Sequence, residues 1–591
     1  MTTERSVRSV CRWRYIMVLI GCGFWAIPAL ALRPTPPAAA IATAHPLATQ
    51  AGEEILAAGG NAFDAAVAVS AALGVVEPGG SGLGGGGFFL LHEGETGRKR
   101  FIDAREVAPL AIRGAMYHDE EGQPDRDKLT VGPLASGIPG LPAALVHLAD
   151  NYGRLPLSRS LAPAIRYARE GMAVRPRLAR IIERRAAHLQ RFASTRAIWF
   201  ADDQPLQEGA ILRQRDLSRT LEKLAAFGRD GFYAGPVADT LVASVQAAGG
   251  VWTAQDLEQY RIIERAPLVL SFGDWQIVSA PPPSSGGLVI GIALNLLERM
   301  GYAKASAVDR KHMLIEAMRR AYFDRTRYMG DPDFVDVPSR TLLSAAHAEQ
   351  WLKSFDPRQA TPSADLAPEP IASVGMGVNT THFSLMDSDG NRVAATLSLN
   401  YLLGSGFVAG DTGVLLNNEM DDFVIAPGVA NAYDLTGGEA NLIAPGKRML
   451  SSMSPAFLEG ADRVAALGTP GGSRIISMVL LALLQLMDDP DAQAAVALPR
   501  FHHQYLPDLV QLGPGALTAA ERKTLRARGH TLEDMGWDYG NMQLIQWHLR
   551  SGQVDAAADP RGGGLAVVLP SSRAPTRSAN DSPTLDLETR P

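Results

Sequence analysis

The 591 residues are 46% hydrophobic and 20% charged, values of a soluble globular protein that exclude fibrous and intrinsically disordered classes. A formal charge of −6 makes nucleic acid and anionic lipid poor partners. The length admits two to four domains or one large sandwich or barrel.

Arg5, Arg8, Arg12 and Arg14 precede an apolar stretch over residues 15–31 that ends in Ala29-Leu30-Ala31. This is the layout of a secretory signal peptide, and it is too short and too interrupted by Pro28 for a stable membrane span. The expected address is the periplasm or the exterior; retention as an anchor, or lipidation at Cys22 after Leu19-Ile20-Gly21, are the alternatives. Cys11 and Cys22 are the only cysteines, so a chain beginning at Leu32 has no thiol nucleophile, no disulfide and no cysteine metal site. Loss of residues 1–31 removes four arginines and one glutamate and moves the formal charge from −6 to −9.

Residues 47–58 and 63–75 read as helices separated by Gly59-Gly60 and ended by Pro78. The second is apolar nearly all round, which predicts a buried helix. A glycine turn over 79–87 then feeds an apolar strand at 88–91. Gly80-Ser81-Gly82-Leu83-Gly84-Gly85 has the spacing of a dinucleotide fingerprint, but it follows a helix and precedes a strand, the reverse of what phosphate cradling needs. Helical patterns dominate from 141 to 247, a short strand fits 274–278, and helix resumes from 287 to 322. Residues 356–379 are irregular. They run into a hairpin whose strands are 380–386 and 392–399, with Asp-Ser-Asp-Gly-Asn at the turn. No fixed-period repeat occurs, and the polar stretch from 571 to 591 reads as a disordered tail.

A threonine hydroxyl is a weak nucleophile unless a base lies beside it, and one solution makes the threonine a chain terminus whose own α-amine takes the proton. Asn379-Thr380-Thr381-His382, where an irregular segment meets a strand, is placed for such a cut. Taken alone it also reads as a plain strand start. Longer strings accompany it: Gly59-Gly60-Asn61-Ala62-Phe63-Asp64-Ala65-Ala66, Asp103-Ala104-Arg105-Glu106-Val107-Ala108-Pro109, Pro281 to Gly287, Leu416-Asn417-Asn418-Glu419-Met420-Asp421-Asp422-Phe423, Leu450-Ser451-Ser452-Met453-Ser454-Pro455 and Pro470-Gly471-Gly472-Ser473-Arg474. On these strings the chain resembles the γ-glutamyltranspeptidases of the N-terminal-nucleophile hydrolase superfamily, from about residue 45 to residue 561.

The resemblance implies an α+β fold, a four-layer αββα sandwich, formed jointly by two subunits that one precursor yields by cutting itself between Asn379 and Thr380. The expected divisions are a signal peptide (1–31), a large subunit (32–379), a small subunit (380–570) and the tail. Thr380 is then the nucleophile toward glutathione and related γ-glutamyl compounds, with water, amino acids or peptides as acceptors and no cofactor or metal. Gly471 and Gly472, just before an apolar helical pattern at 475–487, offer amides for an oxyanion. Ser398 is placed to contact Thr380. Arg105 supplies a fork for the donor's α-carboxylate, helped by Ser451 and Ser452, and Asp422, Asn400 and Glu419 receive its α-ammonium, cation and anion being held apart. Tyr433, in the segment 426–438, belongs to a lid or to an exposed loop.

Three positions depart from the family pattern: Ser398 replaces a threonine, Met449 replaces the proline before Leu-Ser-Ser, and Asn379 occupies a variable position. Competing functions are an acylase for glutaryl or cephalosporin-type side chains, a non-catalytic exported binder of γ-glutamyl peptides, and a serine hydrolase using Ser284 or Ser285. The last lacks a Gly-x-Ser-x-Gly elbow. His502 and His503 are adjacent and so do not share a helical face as metal ligands.

Overall fold

The computed structural model describes residues 34–366, 380–426 and 430–570. The stretch read as a signal peptide, with Cys11 and Cys22, the stretch from 571, and Asn379 lie outside them. Residues 35 onward form one unit.

Helices α1 (Pro46–Ala57) and α2 (Ala62–Val76) occupy the two stretches read as helical. Asn61 Oδ1 accepts from the amides of Phe63 and Asp64 while Asp64 Oδ2 accepts from the Asn61 amide, a reciprocal cap that satisfies donors the first turn would otherwise leave bare. The Asn61-to-Ala66 string is therefore a helix start rather than part of the chemistry. Fourteen of the fifteen residues of α2 are buried, as its apolar circumference predicts.

Thirteen strands build two antiparallel sheets. The first contains β1 (Ala38–Thr43), β2 (Gly86–His92), β3 (Lys99–Ala104), β4 (Ile263–Arg265), β7 (Thr381–Met386), β8 (Arg392–Ser398) and β13 (Leu565–Pro570), in the spatial order β13-β1-β7-β8-β2-β3-β4. The second contains β5 (Leu268–Phe272), β6 (Trp275–Ser279), β9 (Ala456–Glu459), β10 (Arg463–Gly468), β11 (Gln543–His548) and β12 (Val554–Ala558), ordered β12-β11-β10-β9-β6-β5. Strands β7 and β8 face β10, and β7 also faces β11. Helices α1 and α2 cover the outer face of the first sheet. Helices α3 (Gly286–Met300), α4 (Ala307–Tyr328) and α5 (Ile475–Asp488) cover the second. This is the αββα sandwich that the resemblance implies.

Every residue of β7 and β8 is buried, although their alternation predicts one wet face. The reason is the second sheet: the polar side of the hairpin is dry because another sheet lies on it. Period-two geometry sends Phe383 and Leu385 into the α1–α2 layer, while His382 and Ser384 face the other sheet. Ser384 Oγ donates to the Gln543 carbonyl of β11 (3.2 Å), and His382 bonds Thr396 Oγ1 (2.8 Å) and Ser384 Oγ (3.1 Å). Burial holds the His382 pKa down at about 3, so it sits there neutral. The region 287–322, read as continuously helical, is broken at Gly301, whose φ of 79° ends α3 before α4 begins. Among the described residues no helix is long and apolar enough to cross a membrane.

Candidate active site

Strand parity decides where Thr380 points. It precedes β7 by one residue and shares the side of His382, whereas the Thr381 hydroxyl turns the other way and donates to Glu77 Oε2 (2.6 Å) at the end of α2. On the neighbouring strand, Ser398 closes β8 with its Oγ 3.5 Å from Thr380 Oγ1. The same Ser398 Oγ accepts from the Asn400 amide (2.8 Å). Replacement of the family's threonine by serine thus keeps the hydroxyl beside the nucleophile. The glycines read as a turn before β2 serve close approach: a Cβ on Gly85 would come within 2.1 Å of the Ser398 carbonyl oxygen.

Thr380 and Ser398 open into a narrow cleft, lined also by Arg105, Asn400, Glu419, Asp422, Tyr433, Ser451, Ser452 and Gly472. These are the site residues that the sequence points to, with two exceptions. Gly471 is not in the wall, and Asn379 lies outside the described residues. Gly472 has φ 60°, and a Cβ there would come within 2.2 Å of the Tyr433 ring; only glycine lets that ring lie over it. Tyr433 is buried. Its hydroxyl donates to the Asn400 carbonyl (2.8 Å), and its ring stacks on Tyr401 at 5.3 Å. The segment around it therefore covers the cleft rather than standing free in solvent. Asn400 itself adopts φ 71°, a left-handed conformation that asparagine tolerates better than most residues.

Arg105 is 1% exposed at the end of β3. One terminal nitrogen lies 2.5 Å from Glu419 Oε2 and 3.4 Å from Glu106 Oε2, the other lies 2.5 Å from Asp422 Oδ2, and Nε donates to the Met449 carbonyl (3.2 Å). The expectation that cation and anion are held apart is not met, because Arg105 and Asp422 are in direct contact. Opposite charges in a low-dielectric cleft attract one another strongly. Three carboxylates share one guanidinium. Burial drives the Glu419 pKa up to about 7, against the pull of Arg105, and raises Glu106 and Asp422 as well. Burial pulls Arg105 down, but Glu419, Glu106 and Asp422 together outweigh it, so its net shift is upward. Asp421, the neighbour of Asp422, is buried, accepts from Tyr401 (2.9 Å), and is pushed by burial to about 6.

The serines are positioned without the missing proline. The Ser451 amide donates to the Pro283 carbonyl (2.8 Å), and the Ser451 carbonyl accepts from both the amide and the hydroxyl of Ser285 (2.8 Å each). The Pro281-to-Gly287 turn is thus a clamp on Ser451, and Met449 contributes a buried side chain and the carbonyl that holds Arg105. Ser284 Oγ donates to the Met453 carbonyl (2.8 Å). Both hydroxyls of the serine-hydrolase alternative are committed to main-chain acceptors.

Glu106 and Tyr401 join the site without a strong mark in the sequence. Glu106 follows Arg105 within the Asp103-to-Pro109 string, and that adjacency is its only signal. Among the described residues His312, Glu316 and His530 are the cluster close enough to ligate a metal. Glu316 is held by Arg319 and Arg320, and His312 Nδ1 and His530 Nε2 bond each other (2.8 Å). His502 bonds Ser477 (2.7 Å) and Gln504 (2.8 Å). A larger cleft of about 880 Å³ lies beside Gly79 and Gly80, but its carboxylate, Glu77, meets Thr381 and not the nucleophile.

Comparison with known proteins matches residues 48–569 to the family model described as Gamma-glutamyltranspeptidase. The chain is 43% identical over 497 residues to a glutathione hydrolase proenzyme of Pseudomonas sp. (strain A14), covering 83% of this chain and 85% of that one. It is 40% identical over 526 residues to the glutathione hydrolase proenzyme of Escherichia coli (strain K12), covering 88% and 90%. Among solved structures, a cephalosporin acylase from Bacillus halodurans superposes with a TM-score of 0.80 at 28% identity, over 93% of this chain and 99% of that one.

Proposed function

The chain belongs to the γ-glutamyltranspeptidase family, and we propose that Thr380 is the residue on which it carries the γ-glutamyl group. It is an enzyme of γ-glutamyl transfer and glutathione hydrolysis, made as an autoprocessing proenzyme. In maturation Thr380 Oγ1 attacks the Asn379 carbonyl, the peptide nitrogen leaves as the new α-amine, and water hydrolyses the resulting ester to free the Asn379 carboxylate. That amine then takes the hydroxyl proton as Oγ1 attacks the donor's γ-carbonyl, with the Gly472 amide at the cleft wall receiving the oxyanion. The donor's amine departs with the proton, and water or an acceptor amine attacks the ester to regenerate Thr380.

The carrying observation is the convergence of Thr380 and Ser398 with an arginine, two carboxylates and two serines in one cleft. A γ-glutamyl donor is a zwitterion at its α-carbon. Its carboxylate takes Arg105 and the serine hydroxyls while its ammonium takes Asp422 and Glu419, so that donor entry opens the Arg105–Asp422 pair by exchange rather than leaving buried charges bare. Strands from both sides of the cut alternate in the first sheet: β7, β8 and β13 follow it, and β1, β2, β3 and β4 precede it. Such interleaving supports two chains that stay associated.

The deciding experiment is mass spectrometry of the purified protein and of Thr380→Ala. The expected result is two chains parted before Thr380 in the wild type, and one uncut, inactive chain in the variant. A wild type that stays whole and still turns over donor would end the proposal. The acylase alternative would take glutaryl amides as donors. They lack the ammonium that Asp422 and Glu419 suit, so γ-glutamyl anilide should be hydrolysed in preference to glutaryl anilide.

A further inference from the structure

Arg325, in the last turn of α4, is 5% exposed, and among the described residues no carboxylate lies within 4 Å of its guanidinium. A buried arginine without a salt-bridge partner is costly unless its charge is used. Its Nε donates to Ser285 Oγ (3.0 Å), and a terminal nitrogen reaches Ser452 Oγ at 3.5 Å. Ser285 in turn donates to the Ser451 carbonyl (2.8 Å). Ser451 and Ser452 line the cleft, yet Arg325 does not, so whatever it does there passes through them. Arg105, by contrast, has spent its donors on Glu419, Asp422, Glu106 and Met449.

We propose that Arg325 is a positioning residue for the donor's α-carboxylate, acting through Ser452 and, by way of Ser285, through Ser451. This rests on the γ-glutamyl reading of the site. A hydroxyl that accepts from a guanidinium keeps its own proton free to donate, and donates it more strongly because the cation polarises it. Arg325 thereby leaves the Ser452 proton free for the carboxylate, and through Ser285 it fixes the main chain that carries Ser451.

The test compares two donors in wild type, R325M and R325K: γ-glutamyl anilide, and 4-aminobutyryl anilide, which keeps the ammonium and lacks the carboxylate. In R325M the KM for the first rises about tenfold with kcat within about twofold, while kcat/KM for the second stays within about twofold of wild type. In a Ser452→Ala background the same change adds clearly less than about tenfold, because the direct one of its two routes is already cut. Equal losses with both donors, or full additivity with Ser452→Ala, would reduce Arg325 to a packing residue and overturn the proposal. A denaturing gel checks maturation. Should R325M stay uncut, R325K, which keeps the cation but not the fork, carries the same comparison with a rise of about threefold. A wild type inactive on γ-glutamyl anilide sinks the parent reading and this one with it, whereas an active wild type with equal losses sinks this one alone.

Discussion

Two buried clusters of arginine and carboxylate differ in a way that separates support from function. In α4, Arg319 and Arg320 pair with Glu316 and Asp508, two cations to two anions. Arg320 also donates to Ser354 and Thr361, and Thr361 donates its amide to Glu316. Burial would raise the Glu316 pKa, but Arg319 and Arg320 outweigh it and hold the carboxyl below its ordinary range. At the cleft, one Arg105 faces Glu106, Glu419 and Asp422, all three raised by burial. Glu106 Oε1 has no hydrogen-bond partner among the described residues. A balanced, saturated cluster holds a fold together, whereas one with surplus anions in a cleft is built to receive a cation.

The largest expected effect breaks the balanced cluster. Arg320→Met strands Glu316 in the interior and should cost about 3–5 kcal/mol of stability, read as a fall in melting temperature, with the donor KM of the surviving protein near wild type. A variant of unchanged stability would erase the distinction. Next in size, Arg105→Lys keeps a cation but loses the fork that spans Glu419 and Asp422. Donor KM should rise about tenfold with a much smaller change in melting temperature, and unchanged donor affinity would remove Arg105 from the pocket.

The smallest effect is a pH profile. The Glu419 pKa stands at about 7 in the folded protein against 4.5 in its ordinary state, so the carboxyl is neutral below and anionic above that point. Folding therefore loses stability from Glu419 as pH rises from 4.5 through 7, while attraction for the donor's ammonium grows. Donor KM should fall as pH climbs from about 6 to about 7, below the range where an α-amino group loses its own proton. Glu419→Gln should flatten that slope; a slope that survives belongs to another group.

Much of the first sheet and its helices is legible in the amino-acid order. The all-round apolar pattern of 63–75 becomes the buried α2, and the hairpin at 380–399 becomes β7 and β8. Most of the second sheet is not legible. Its strands β9 to β12 are four to six residues long, too brief for periodicity to separate from buried helix or loop. Arg325 carries no local mark either, since it sits in α4 among Arg319, Arg320 and Arg327, and only its missing carboxylate sets it apart.

Periodicity, caps and charge are properties of neighbouring residues, so the amino-acid order alone determined the helices, the hairpin and the kinds of group available for chemistry. Which groups meet is a matter of non-local pairing. Arg105, Asp422 and Ser452 come together because β3, a short turn at 419–422 and the clamp of Ser285 on Ser451 are brought to one end of two facing sheets. That convergence, and the pairing of Arg105 with Asp422, depends on burial and a low dielectric, which exist only once the sandwich has formed.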